Sequence, residues 1–180
     1  MSTKLRTTSL GVPEASVTAS QLSGIAHNRT VLTLTDVSVT AANTTGVSFG
    51  GTKIFTFPAG VNYVVTSVLE LLTFDLTDAG NATPVATTHG GDISVGTTAP
   101  TDGTLSTTDV NLIPKTSIDP ISGGVAGAHL AAPALFDGHT TATPVFINMI
   151  IDDADVADGA SDVILVSGTV TLTWVEGGDY

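Results

Sequence analysis

The sequence predicts an all-β chain built as an antiparallel sandwich, and three observations predict it. Roughly one residue in six is threonine, a β-branched type that suits a pleated, half-buried surface. Helix formers are scarce: the 180 residues hold five Lys and Arg in all, and Glu occurs only at positions 14, 70 and 176. Short apolar runs, several with two-residue alternation, are separated by Gly, Pro, Asn and Asp clusters of the kind that turn a chain.

The elements follow in order. Val31 to Thr40 reads as a strand whose apolar positions change parity near Asp36, which places a bulge or bend there. Asn43-Thr44-Thr45-Gly46 and Gly50-Gly51 read as turns. Lys53 to Phe57 is a strand ended by Pro58-Ala59-Gly60. The apolar run from Tyr63 to Leu76 fits a strand pair or a buried helix; its β-branched start favours strand, bent near Glu70. Ile93-Ser94-Val95 and Val110-Asn111-Leu112-Ile113 are short strands, and Gly123 to Leu135 is a small-residue loop. Val145 to Ile151 is nearly continuous in apolar residues and should be a central strand buried on both faces. Val163 to Val175 closes the chain with apolar and Thr positions alternating, as in a strand with one wet face. About eight strands without a fixed-period repeat point to a jelly-roll-like antiparallel β-sandwich.

Length suits one domain with an arm. Residues 1–29 are assigned to an extended N-terminal arm and 30–180 to the sandwich. The arm is set apart by charge: Lys4, Arg6 and Arg29 outnumber Glu14 over residues 1–30, while the whole chain carries −12. Such asymmetry suggests that arm and body face different partners.

Composition excludes several classes. The hydrophobic fraction is 42% and mean hydropathy +0.37, so the chain can build a core and is not disordered by composition. A pI near 4.2 gives no basic footprint for counterion release, which argues against nucleic acid as a partner. The absence of cysteine removes thiol catalysis and disulfide staples. The first residues lack the apolar run of a signal peptide, and no stretch reaches ~20 apolar residues, so no membrane partner is expected. Sequons at Asn28, Asn43 and Asn81 are read as products of abundant threonine.

Catalytic motifs are missing from the sequence, and the expectation is that the chain is not an enzyme. There is no Gly-x-Ser-x-Gly elbow and no phosphate-binding Gly-x-x-x-x-Gly-Lys. His27, His89, His129 and His139 are far apart, with no His-x-His pair for a metal. The one dense cluster, Asp152 to Asp162, is read as a solvated acidic loop that discourages edge pairing. Calcium through Asp153, Asp155 and Asp158 is the alternative, although the spacing is not that of an EF-hand. No cofactor is expected. Trp174, Tyr63 and Tyr180 are the only Trp and Tyr, and Trp174 falls where core is expected rather than a sugar-stacking platform.

Three segments carry a resemblance: Asp102-Gly103-Thr104-Leu105-Ser106-Thr107-Thr108-Asp109-Val110, the Phe146-Ile147-Asn148 strand followed by Asp152-Asp153-Ala154-Asp155, and the ending Ser167-Gly168-Thr169-Val170-Thr171-Leu172-Thr173-Trp174. Through them the chain resembles the capsid decoration (cement) proteins of tailed bacteriophages that have a jelly-roll body. The resemblance implies a homotrimer on the outer capsid surface of the virion, at local three-fold or two-fold positions. There it would bridge neighbouring subunits of the major capsid protein against internal pressure. Lys4, Arg6 and Arg29 would then be the capsid contacts. The alternative is a receptor- or glycan-binding β-sandwich module of a head or tail fibre or a cell-surface layer.

Overall fold

The computed structural model describes residues 11–23, 27–44, 46–77, 91–118, 128–129, 134–138, 142–152 and 163–178. Among these residues twelve strands appear: β1 (Val12–Pro13), β2 (Val17–Ser23), β3 (Asn28–Thr40), β4 (Ala42–Thr44), β5 (Val47–Phe57), β6 (Gly60–Thr77), β7 (Gly91–Gly96), β8 (Ile113–Ile118), β9 (Ala128–His129), β10 (Ala134–Gly138), β11 (Thr143–Ile151) and β12 (Val163–Gly178). Helical structure among the described residues is limited to one 3-10 turn, Thr107–Asp109.

The strands form two six-stranded antiparallel sheets. The first runs β1-β5-β11-β7-β8, with β4 beside β5; the second runs β10-β6-β12-β3-β2, with β9 beside β6. Take β3, β5, β6, β7, β8, β10, β11 and β12 as strands one to eight. One sheet is then ordered one-eight-three-six and the other two-seven-four-five. That interleaving is the jelly roll. The remaining four short or marginal strands extend its edges.

Alternation decides which side of each strand is dry. In β3, Leu32, Leu34, Val37 and Val39 are buried while Thr33, Thr35, Ser38 and Thr40 are exposed. The buried parity changes across Asp36, which has φ 50. Opposite it, the β3–β12 register shifts between Val166 and Gly168, and Gly168 takes φ 151. The bulge expected near Asp36 is therefore present. Ser167 Oγ accepts from Asp36 N at 2.9 Å and donates to Asp36 Oδ1 at 3.1 Å, satisfying the groups that the bulge frees.

The run from Tyr63 to Leu76 is a single strand, β6, whose register against β12 slips between Glu70 and Thr73, next to the expected bend. Three expectations need correction. Gly50-Gly51 is not a turn: both lie inside β5, paired with Met149 and Asn148 of β11. Val110 to Leu112 do not extend β8, because Asn111 is turned toward Thr97 and Leu112 N donates to Val95 O. The small-residue stretch is not all loop, since β9 and the start of β10 fall within it and pair with β6.

The core lies between the sheets. Trp174, Phe55, Phe57, Leu32, Ile54, Ile93, Leu112, Ile113, Ile147 and Met149 are its largest fully buried side chains. Phe57 from the first sheet meets Trp174 from the second edge-to-face, with centroids 5.2 Å apart, and Phe55 stacks on Phe57 in the same manner. Trp174 Nε1 donates to the buried Thr30 Oγ1 at 3.0 Å, so the indole enters the core with its polar atom paired.

Of the N-terminal segment, residues 11–23 and 27–29 run within the sandwich. β1 lies beside β5 in one sheet and β2 beside β3 in the other. Gln21 Nε2 donates to Gly11 O at 2.8 Å, and Lys53 pairs with Glu14 at 2.8 Å. Val17 is buried in the core. The boundary drawn at residue 29 thus falls inside β3.

Candidate functional site

Two outer faces are available for function, and the chain treats them differently. On the first sheet, β11 presents Asn148 and Ile150 away from the core, yet both are buried. The cover for Asn148 is the β7–β8 connection, residues 97–112, which folds back over the sheet. Asn148 Nδ2 donates to Thr98 O and to Asp109 O, each at 2.9 Å. Ser94 Oγ donates to the same Asp109 carbonyl at 2.8 Å. Thr97 N donates to Thr108 O and to Asn111 Oδ1, and Thr98 Oγ1 donates to Asp109 Oδ1 at 2.7 Å. The connection is therefore a built structure whose carbonyls are latched to a strand that is buried on both sides.

Glycines permit this close approach. A Cβ at Gly96 would collide with the backbone of Thr108 and Asp109. A Cβ at Gly51 would collide with Asn148 Oδ1 and stand 2.8 Å from Pro100 Cδ. The segment Asp102 to Val110, one of those that carried the resemblance, forms much of this latched cover, including the Thr108 and Asp109 carbonyls. Its tip is closed by Thr104 N donating to Asp102 Oδ1 at 2.9 Å.

The second sheet leaves its described outer face exposed along β2 and part of β3 and half-buried along β12. Register lays out three cross-strand rows: Thr18–Thr33–Thr169, Ser20–Val31–Thr171 and Leu22–Arg29–Thr173. Thr18, Ser20, Leu22, Arg29 and Thr33 are exposed, and Leu22 is 66% exposed. Val12, at 64%, is the other exposed large hydrophobic among the described residues, and it too belongs to the N-terminal segment. The face is thus hydroxyls and methyls with a cation and a leucine side by side at one end. Threonine loses little rotamer freedom on docking, so such a face binds by hydrogen bonds and shape at small entropic cost.

Of the three cations expected to touch a partner, Arg29 is on this face. Lys4 and Arg6 lie outside the described residues. Lys53 and Lys115 are engaged with Glu14 and Asp92 respectively. Asp153, Asp155 and Asp158 lie outside the described residues, as do His89 and His139. Among the described residues no three His, Asp or Glu side chains come together in a group suited to a metal. Trp174 is fully buried and is not a platform for sugar rings. Asn28 is 5% exposed, so its sequon is folded into the sandwich.

Sequence reasoning missed Leu22, Val12 and the Asn148 latch. A signal for the last was present: one amide within Val145 to Ile151, a run buried on both faces, has to find partners.

No family model and no curated protein matches the chain. Among solved structures, the enzymatically active domain of tailspike protein 4 from bacteriophage CBA120 is similar over 91% of this chain and 19% of that one. The identity is 10% and the TM-score 0.25. The chain therefore spans about a fifth of the length of the structure it matches. A score at this level carries neither fold nor activity across. The reading that this chain is not an enzyme is withdrawn: the similar tailspike domain is described as enzymatically active, and that activity is said of the tailspike alone.

Proposed function

We propose that this protein is a virion component that decorates a phage capsid and stabilises it by bridging major capsid subunits. The observation that carries the proposal is the asymmetry of the two outer faces. One is covered around Asn148 by its own latched connection, while the other offers Thr18, Ser20, Leu22, Arg29 and Thr33 to a partner. The acidic body then faces solvent, and the mildly basic segment with Lys4, Arg6 and Arg29 faces the shell. Many copies on a symmetric lattice add through multivalency, so each contact can be modest. Burial of Trp174 takes support from the glycan-binding alternative.

The test is co-sedimentation with capsid shells assembled from the major capsid protein encoded in the same genome. Because Val17–Ser23 is strand and β3 begins at Asn28, the informative truncation removes residues 1–10 and leaves β1 and β2 in place. The expected result is saturable binding that falls roughly tenfold in Arg29→Glu and again on truncation, with unchanged melting. Full binding by the combined variant removes the proposed docking face.

A further inference from the structure

The edges of the two sheets are guarded unequally. Unpaired strand edges invite pairing with other chains, and natural proteins blunt them with short strands, proline, glycine and charge. Here β1 is two residues long and contains Pro13, β4 is three residues long, and β8 carries Pro114 and Lys115. β9 is two residues long, and β10 carries Asp137 and Gly138. The seven residues of β2, Val-Thr-Ala-Ser-Gln-Leu-Ser, include no charge, proline or glycine. Among the described residues no strand pairs with the outer edge of β2. It also bears Leu22 at 66% exposure.

We propose that β2 is a self-association edge, and that its occupant is β2 of a second copy, joined antiparallel about a two-fold axis through Ser20. The strand is complementary to itself in that register. Thr18 falls opposite Leu22 of the second copy, Ala19 opposite Gln21, and Ser20 opposite Ser20. Parity is preserved, so Thr18, Ser20 and Leu22 of both copies stay on one face and the buried positions stay on the other. Each Leu22 then lies against the methyl of a threonine rather than in water. The pairing joins the second sheets of two copies into one. It brings no like charges opposite each other, although each chain carries −12.

A single strand pair is smaller than the interfaces of about 1,200–2,000 Å² that hold stable complexes, so the dimer depends on concentration. The contact is isologous and yields even-numbered assemblies, whereas the trimer implied by the resemblance needs a heterologous one.

The test is sedimentation of the full chain across a wide concentration range, with four variants at exposed positions. The mass should rise from 18.1 kDa toward twice that value. Ser20→Lys, which sets two lysines face to face on the axis, should weaken association at least tenfold. Leu22→Lys and Thr18→Glu should each weaken it, and the double variant Thr18→Glu/Leu22→Lys should restore it, because each new lysine then faces a new glutamate across the axis. Melting curves unchanged from the parent show that the monomer is intact. A constant mass of one chain, a mass of three chains, or association indifferent to Ser20→Lys overturns the proposal. Failure of the double variant to recover overturns the register.

Discussion

Replacing Trp174 with alanine lowers the stability of the fold by about 3–5 kcal/mol, the largest loss expected from any single side chain here. Trp174 reaches from the second sheet to Phe57 of the first, at 5.2 Å between ring centroids. Phe57 in turn holds Phe55, so truncation removes one end of an aromatic row that spans both layers and leaves a void against Phe57. The buried Thr30 hydroxyl loses its donor at the same time. Against a total of about 5–15 kcal/mol for a domain, such a loss brings the chain near its unfolding threshold. Urea unfolding followed by circular dichroism measures it, because the variant has no tryptophan fluorescence. Thr30→Val should cost about 1–3 kcal/mol by leaving the indole N–H unpaired. A Trp174→Ala midpoint close to the parent's would mean that the sheets are not held together at this point.

Replacing Asn148 with leucine costs about 2–4 kcal/mol and acts mainly on residues 97–112. The substitution keeps the volume but leaves Thr98 O without the amide donor and Asp109 O with Ser94 Oγ alone. Hydrogen exchange should quicken in the connection while the strands beneath stay protected. Gly51→Ala should reproduce the effect from the opposite side, since its Cβ meets Asn148 Oδ1. Gly51→Ala with Asn148→Ala should cost less than the sum of the two, because the new methyl enters space that the amide has left. Strict additivity, or exchange unchanged in the connection, would show that the latch does not hold it.

The parts of the fold legible in the sequence are those where one face of a strand is dry. β3, β11 and β12 each announce themselves by burial pattern, and the parity change at Asp36 reports a bulge that the register shift opposite Gly168 repeats. The paired positions of the sheets were not legible, because alternation says which face is buried and not which strand lies alongside. The connection 97–112 was hidden for another reason. Its order comes from side-chain and main-chain bonds between distant residues, such as Asn148 to Thr98, which leave no periodic trace. The proposed docking face was legible only in Arg29, through charge. Leu22 stands out once register sets it beside Arg29 at a sheet edge. The acidic run with Asp153, Asp155 and Asp158 lies outside the described residues.

Bridging subunits makes a demand beyond binding: the shell itself must become harder to take apart. A ligand that engages only the assembled lattice stabilises it by mass action. The measurement is differential scanning calorimetry of capsid shells, alone and with saturating protein. A capsid decoration protein raises the temperature of shell disassembly, and Arg29→Glu at equal concentration raises it less. Shells that bind the protein at full occupancy yet disassemble at an unchanged temperature would contradict a bridging role.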